Sequence, residues 1–219
     1  MAEENDTLFK EIDEELRQDK ANELWKAYGN YIIGGALALV LGVAGSQAWR
    51  TYDMNQRLAR GTSFDAALVL GSSNKTEEAL AAFGKIAEGN NDGYAQLARF
   101  REAGLLAGKE DYAGSATVYK ELSESTKLPQ QYRDLAVVLG ALQELNTPGG
   151  ISLMKDRLEG VVAADNPWRH SAREVLGIAA LKRGDKSKAR EQFKMIADDA
   201  TTPQGLAQRA AEMLKTIGQ

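Results

Sequence analysis

Leu176-Gly177-Ile178-Ala179-Ala180-Leu181-Lys182-Arg183-Gly184-Asp185-Lys186-Ser187-Lys188-Ala189-Arg190-Glu191-Gln192-Phe193-Lys194-Met195-Ile196 reads as two helices joined by a Gly-Asp turn. Apolar residues recur at helical spacing on both sides of Gly184-Asp185. Gly177 and Ala189 are small, which lets the two helices of a hairpin approach closely. Phe193, four residues after Ala189, fills the gap to the next hairpin. A unit of this kind leaves one apolar face uncovered, so the neighbouring sequence should repeat it.

It does. Ala79, Phe83 and Ile86 follow Ala66-Ala67 and Leu70 across a turn at Gly71 to Asn74. Ala103, Leu106 and Asp111-Tyr112 lead to Ser115, Tyr119 and Leu122. A third unit places Leu139-Gly140 in its first helix, a turn at Asn146-Thr147-Pro148-Gly149-Gly150, and Leu158 in its second. Phe83, Tyr119, Leu158 and Phe193 are then equivalent, spaced by 36, 39 and 35 residues. With Leu-Gly in the first helix, a Gly-Asp turn and Ala-x-x-x-Phe in the second, the last unit resembles the tetratricopeptide repeat, whose period is about 34 residues. After Pro203, the residues Leu206, Ala210, Met213, Leu214 and Ile217 form an amphipathic helix suited to capping the stack. Beyond Arg57 no strand-like alternation is present, so the expected fold is all-α: a short tetratricopeptide-like solenoid with a C-terminal capping helix.

Stacked hairpins create a concave surface lined by their first helices. Phe64, Leu68, Phe100, Val137 and Ile178 should face it, judged by their offset from each repeat's small residue. They are candidate groove residues for an apolar segment or a partner helix, with packing between hairpins as the alternative use.

Upstream of the repeats, no charge occurs from Ala27 to Trp49, a run of 23 residues. A helix of that length matches the roughly 30 Å hydrocarbon core of a bilayer. Trp25, Tyr28, Tyr31, Trp49 and Tyr52 flank it, where amphipathic rings favour the headgroup zone. Ser46-Gln47-Ala48 mimics a signal-peptide cleavage site, but an acidic polar leader replaces the short basic start such peptides have. The run is therefore read as a single span. Lys10, Arg17, Lys20 and Lys26 precede it and Arg50, Arg57 and Arg60 follow, a balance that leaves orientation open. Gly34, Ala38, Gly42 and Ser46 recur every fourth residue and form a small-residue ridge. Such a ridge is a candidate contact face for another membrane helix, or the ordinary composition of a span. Before the span, Phe9, Ile12 and Leu16 make a thin apolar stripe on a charged, helical leader.

Little chemistry is expected. The formal net charge of −4 argues against nucleic acid as a partner, and the absence of Cys removes disulfides and thiolate ligands. His170, the only histidine, stands beside Trp168 and Arg169 at the start of a helix and is read as a surface or capping residue, not a catalytic one. No metal cluster or phosphate loop is legible, and Gly34-Gly35 and Gly149-Gly150 lack the strand-to-helix setting of one. No catalytic residue, cofactor or metal is assigned, and the chain is expected to be no enzyme.

The order of these parts resembles one bacterial family. Trp25-Lys26-Ala27-Tyr28-Gly29 precedes the span, Trp49-Arg50 and Tyr52 follow it, and Phe64-Asp65-Ala66-Ala67 opens the repeats. Arg183-Gly184-Asp185-Lys186 with Ala189-Arg190 lies near the end. Together they are similar to the YfgM-like family of ancillary SecYEG translocon subunits. The resemblance implies a cytoplasmic leader (1–28), an inner-membrane helix (29–49) and a periplasmic repeat domain (50–219). It implies partners too: a SecYEG-like translocon on the membrane side, and periplasmic chaperones or peptide clients. A non-catalytic scaffold or accessory subunit of another cell-envelope complex is the alternative role. The oligomeric state is not legible.

Overall fold

The computed structural model describes residues 2–89, 93–163 and 165–218, without the side chains of 2–13, 15, 16 and 21. The Phe9–Ile12–Leu16 stripe of the leader therefore lies outside the described residues. Among the described residues there are nine helices and no strand. They form two compact units, Met1–Ala59 and Arg60–Gln219.

Residues 2–59 of the first unit are helix. They belong to α1 (Ala2–Ser72), which continues past Ala59. Its apolar stretch is bare: Tyr31 is 76% exposed, Leu39 68% and Leu41 70%. Among the described residues, α1 is the one helix long and apolar enough to cross a membrane. Isolated from any packing partner, that surface would be costly to leave in water, at about 25 cal/mol per Å².

The second unit is a row of helical hairpins. Residues 60–72 of α1 pair with α2 (Thr76–Ala87), α3 (Gly93–Gly108) with α4 (Tyr112–Glu124), and α5 (Gln130–Glu144) with α6 (Lys155–Val161). The helices α7 (Arg169–Lys182) and α8 (Lys186–Ala197) make the last hairpin, and α9 (Gln204–Gly218) packs on α8. The core divides into three clusters along the row, as expected where each hairpin touches only its neighbours.

The small positions explain how close these helices come. A Cβ at Gly177 would lie 2.9 to 3.2 Å from three ring carbons of Phe193, so the ring rests on bare backbone. Ala67, Ala103 and Gly140 hold the matching places in the earlier first helices, and all three are buried. In the second helices Ala79, Ser115 and Ala189 are completely buried, and the Ser115 hydroxyl donates to the Ala103 carbonyl at 2.7 Å.

Of the four hairpin turns, two share one template, the first keeps a left-handed residue (Asn74, φ 58°) but lacks the cap at Lys75, and the third departs from it altogether. Asp111 and Asp185 cap α4 and α8, accepting from the Gly114 and Lys188 N–H groups at 2.9 and 3.0 Å. Residues Glu110 and Gly184 precede them with φ of 65° and 80°. The third hairpin has the longest spacing, and its turn passes through Gly149 (φ 96°) and Gly150 (φ 64°). Here Met154 stands where Ala189 stands in the last hairpin, fully buried, and its side chain covers Gly140. Met154 offers no capping side chain, and Glu144 takes over that work. Glu144 is 2% exposed, and its Oε2 accepts from the Ser152 and Met154 N–H groups at 2.8 and 3.4 Å. Hydrogen bonds to a charged group are worth about 1.5–3 kcal/mol each, offset by the cost of burying the carboxylate. Replacing Glu144 with Ala should therefore lower unfolding free energy by about 1–2 kcal/mol, as read by urea denaturation.

At the far end, Leu206, Ala210 and Ile217 of α9 are buried against Ala189, Phe193 and Ile196, with Met213 and Leu214 beside them. Arg209 grips Glu174 with two hydrogen bonds of 2.8 and 3.1 Å, and Arg190 donates to the Ile217 carbonyl at 3.2 Å. The apolar end of the stack is thus closed.

Candidate interaction surfaces

Of the residues read as facing the concave side, two lie in the core. Phe64 is 8% exposed, with its ring 5.4 Å from Phe83 and 5.6 Å from Tyr94. Val137 belongs to the central cluster. Leu68 is half-buried against the N-terminal cluster, and Ile178 is half-buried between the central cluster and the C-terminal one that holds Phe193 and α9. Phe100 is half-buried as well, its ring 6.0 Å from Tyr119. It opens onto a groove that none of the other four lines.

That groove runs between α3 and α5, the first helices of successive hairpins, and encloses about 550 Å³. Leu97 and Phe100 form one wall, Leu128, Tyr132, Leu135 and Leu139 the other, with Tyr119 at the floor. The volume lies in the range of sites that bury a ligand of several apolar groups. Leu97 is 52% exposed and Tyr132 45%, unusual openness for large apolar side chains on a folded domain. Sequence spacing carried a signal for this wall: Leu128, Tyr132, Leu135 and Leu139 recur at i, i+4, i+7 and i+11, a helical stripe. It runs beside the stripe of Ala136, Val137, Gly140 and Ala141 that faces the core, so α5 is apolar on two sides. Arg101 and Lys127 stand at the rim, and among the described residues no acidic one lines the groove.

A polar clamp fixes one end of α5. Asp134 is buried and accepts from Gln130 Nε2 at 2.7 Å and from Asn166 Nδ2 at 2.8 Å. Asn166 in turn accepts from the Trp168 N–H, and the Trp168 indole N–H donates to the Gln131 carbonyl at 2.8 Å. The wall that carries Tyr132 is thereby held against the entry to α7.

The small-residue ridge on α1 is open. A Cβ added at Gly34 or Gly42 meets nothing within 4 Å, and Ser46 donates to the Val43 carbonyl at 2.9 Å.

His170 is buried, with Nδ1 3.1 Å from the Thr202 hydroxyl and Nε2 3.4 Å from that of Thr201. Asp199 lies 3.6 Å from Nε2. Burial first, then the charges of Arg169 and Arg173, hold the imidazole below its usual range, against the pull of Asp199. Asp199 is held at about 2, first by the Thr201 hydroxyl, next by the Thr201 N–H, with smaller help from His170 and Arg169. Both groups release protons more readily folded than unfolded. Their stabilising contributions are complete above the unfolded values and lost as pH falls, from 6.5 downward for His170 and from 3.8 to about 2 for Asp199. Urea midpoints should therefore fall between pH 7 and pH 5 in the native chain, and His170→Gln should flatten that slope. The arrangement is a latch between α7 and the segment before α9. Among the described residues no group of three His, Asp or Glu is gathered as a metal site would need.

The sequence model of the family described as Tetratricopeptide repeat-like domain matches residues 22–215. No curated protein and no solved structure matches the chain.

Proposed function

We infer the function from membership: this chain belongs to the tetratricopeptide repeat-like domain family, whose repeats build surfaces that hold other proteins. It is a protein–protein interaction module, of a kind that ordinarily scaffolds and does not catalyse. We propose that residues 29–49 anchor it in a bacterial inner membrane, with 1–28 cytoplasmic and 50–219 periplasmic. In that setting it links a SecYEG-like translocon to periplasmic chaperones handling exported proteins. The observation that carries this reading is the bare, uncharged run of α1 in one chain with a repeat domain. The likeness of Trp25–Gly29, Trp49-Arg50 and Arg183–Arg190 to the YfgM-like family supplies the translocon as the partner. Gly34, Ala38, Gly42 and Ser46 are proposed as the face that meets it, because small residues let helix backbones approach in lipid.

Purification in mild detergent followed by mass spectrometry tests the role. Translocon subunits and periplasmic chaperones are the expected companions. Stable recovery of a different envelope assembly would sink the translocon assignment and favour an accessory subunit of that assembly. Ala38→Leu should reduce recovery of the membrane partner while leaving insertion intact, since a bulky side chain props the helices apart. A C-terminal fusion to a reporter active only in the periplasm checks orientation, and an expressed but silent fusion would reverse it.

A further inference from the structure

We propose that the groove between α3 and α5 receives an amphipathic helix of a partner protein, apolar on one face and edged with carboxylates. The proposal rests on the interaction-module reading and names the partner's chemistry. Three observations carry it. First, the walls are apolar and partly bare at Leu97 and Tyr132, so an occupant must bring apolar side chains. Second, the rim is cationic: among the described residues Arg101 and Lys127 have no ion-pair partner, and no acid lines the groove. A partner carboxylate would answer both charges and speed encounter. Third, both walls are helices whose backbone groups already bond within α3 and α5. An extended segment would need new partners for its own N–H and C=O groups. Among the described residues the lining holds one side-chain amide, that of Gln96, and this residue is 9% exposed. A helix arrives with its backbone satisfied, and its i, i+3, i+7 face fits a trough between two helices.

The test uses the full chain in neutral-lipid nanodiscs, with empty nanodiscs as the blank. The probe is a fluorescent, hydrocarbon-stapled helix of about 14 residues with Leu at i, i+3 and i+7 and Glu on the flanks, stapled because so short a helix is marginal alone. Its counterparts are the same helix with Lys for Glu and an unstapled acidic peptide interrupted by Pro. Fluorescence anisotropy should show the Glu helix binding at least about tenfold more tightly than either counterpart. The double variant Arg101→Glu/Lys127→Glu, both positions exposed, should invert the Glu-over-Lys preference, and Tyr132→Asp should abolish binding. Circular dichroism of each variant confirms the fold. No binding, binding indifferent to the double variant, or equal binding of the Pro-interrupted peptide would overturn the groove assignment. Recovery of membrane and chaperone partners by the native chain decides the module reading separately.

Discussion

Phe193→Ala is expected to remove about 3–5 kcal/mol of unfolding free energy. Phe193 is 1% exposed and its ring lies directly on the backbone of α7 at Gly177, where no side chain can swing in to fill the space it leaves. Its neighbours Ala180 and Ala189 are too short to collapse into the gap. The cavity term therefore adds in full to the lost transfer free energy. Because hairpins stabilise only their neighbours, the damage should concentrate in α7, α8 and α9. Trp168 sits at the entry to α7 and reports on that region if Trp25 and Trp49 are first changed to Phe. Urea titration of its fluorescence should show the midpoint drop. Met195→Ala, two residues away but 43% exposed, should shift it by no more than about 0.5 kcal/mol. A loss below about 1 kcal/mol for Phe193→Ala would mean that the Gly177 contact does not hold the hairpin together.

The same pair shows why so much of this fold could be read from residue types. Gly177 and Phe193 are a matched small-large contact between two helices, and such a contact leaves a fixed spacing in the chain. The match recurs at Ala67 with Phe83 and at Ala103 with Tyr119, each 16 residues apart, so these hairpins announced themselves. In the third, Gly140 and Leu158 are 18 apart, and the turn absorbs the extra length. There the reading named the right residues but not the means: Met154 fills the place that Ala79, Ser115 and Ala189 hold in the other hairpins, and Glu144 caps from the preceding helix. Neither leaves a local signature, because each contact closes across a loop whose path is set by two left-handed glycines.

Surfaces were harder to read than the core. The offset rule that selected Phe64, Leu68, Phe100, Val137 and Ile178 treats every first helix as presenting the same face. In the structure an apolar groove opens where α3 and α5 part, and one of those residues, Phe100, lines it. Leu97, Tyr132 and Leu135 complete the walls. A second apolar stripe on one helix is legible in sequence, but whether a neighbour covers it depends on the rotation between hairpins, which no short motif encodes.

The other large effect concerns the anchor. Introducing Arg at both Leu39 and Leu41 is expected to turn a chain that resists alkaline extraction into one released by it. The uncharged run spans about 34 Å as a helix, close to the hydrocarbon thickness, and both leucines lie near its middle. Each Arg there costs about 2.5–3.5 kcal/mol of insertion free energy, and each lost Leu removes a favourable few tenths more. Midway along the run, Arg is far from either headgroup layer, so reaching one with its guanidinium demands bilayer thinning or a shifted helix. In a bilayer the aromatic residues Trp25, Tyr28, Trp49 and Tyr52 would oppose such a shift by favouring the interface at both ends. Leu24 and Tyr52, beyond the ends of the run, should tolerate a charge with little change in extraction, which separates a depth-dependent cost from general damage to α1. If the exposed apolar surface were instead covered by a soluble partner, carbonate would strip the native chain from membranes as readily as the double variant. The contrast between native and variant chains thus decides whether lipid or protein is the solvent for residues 29–49.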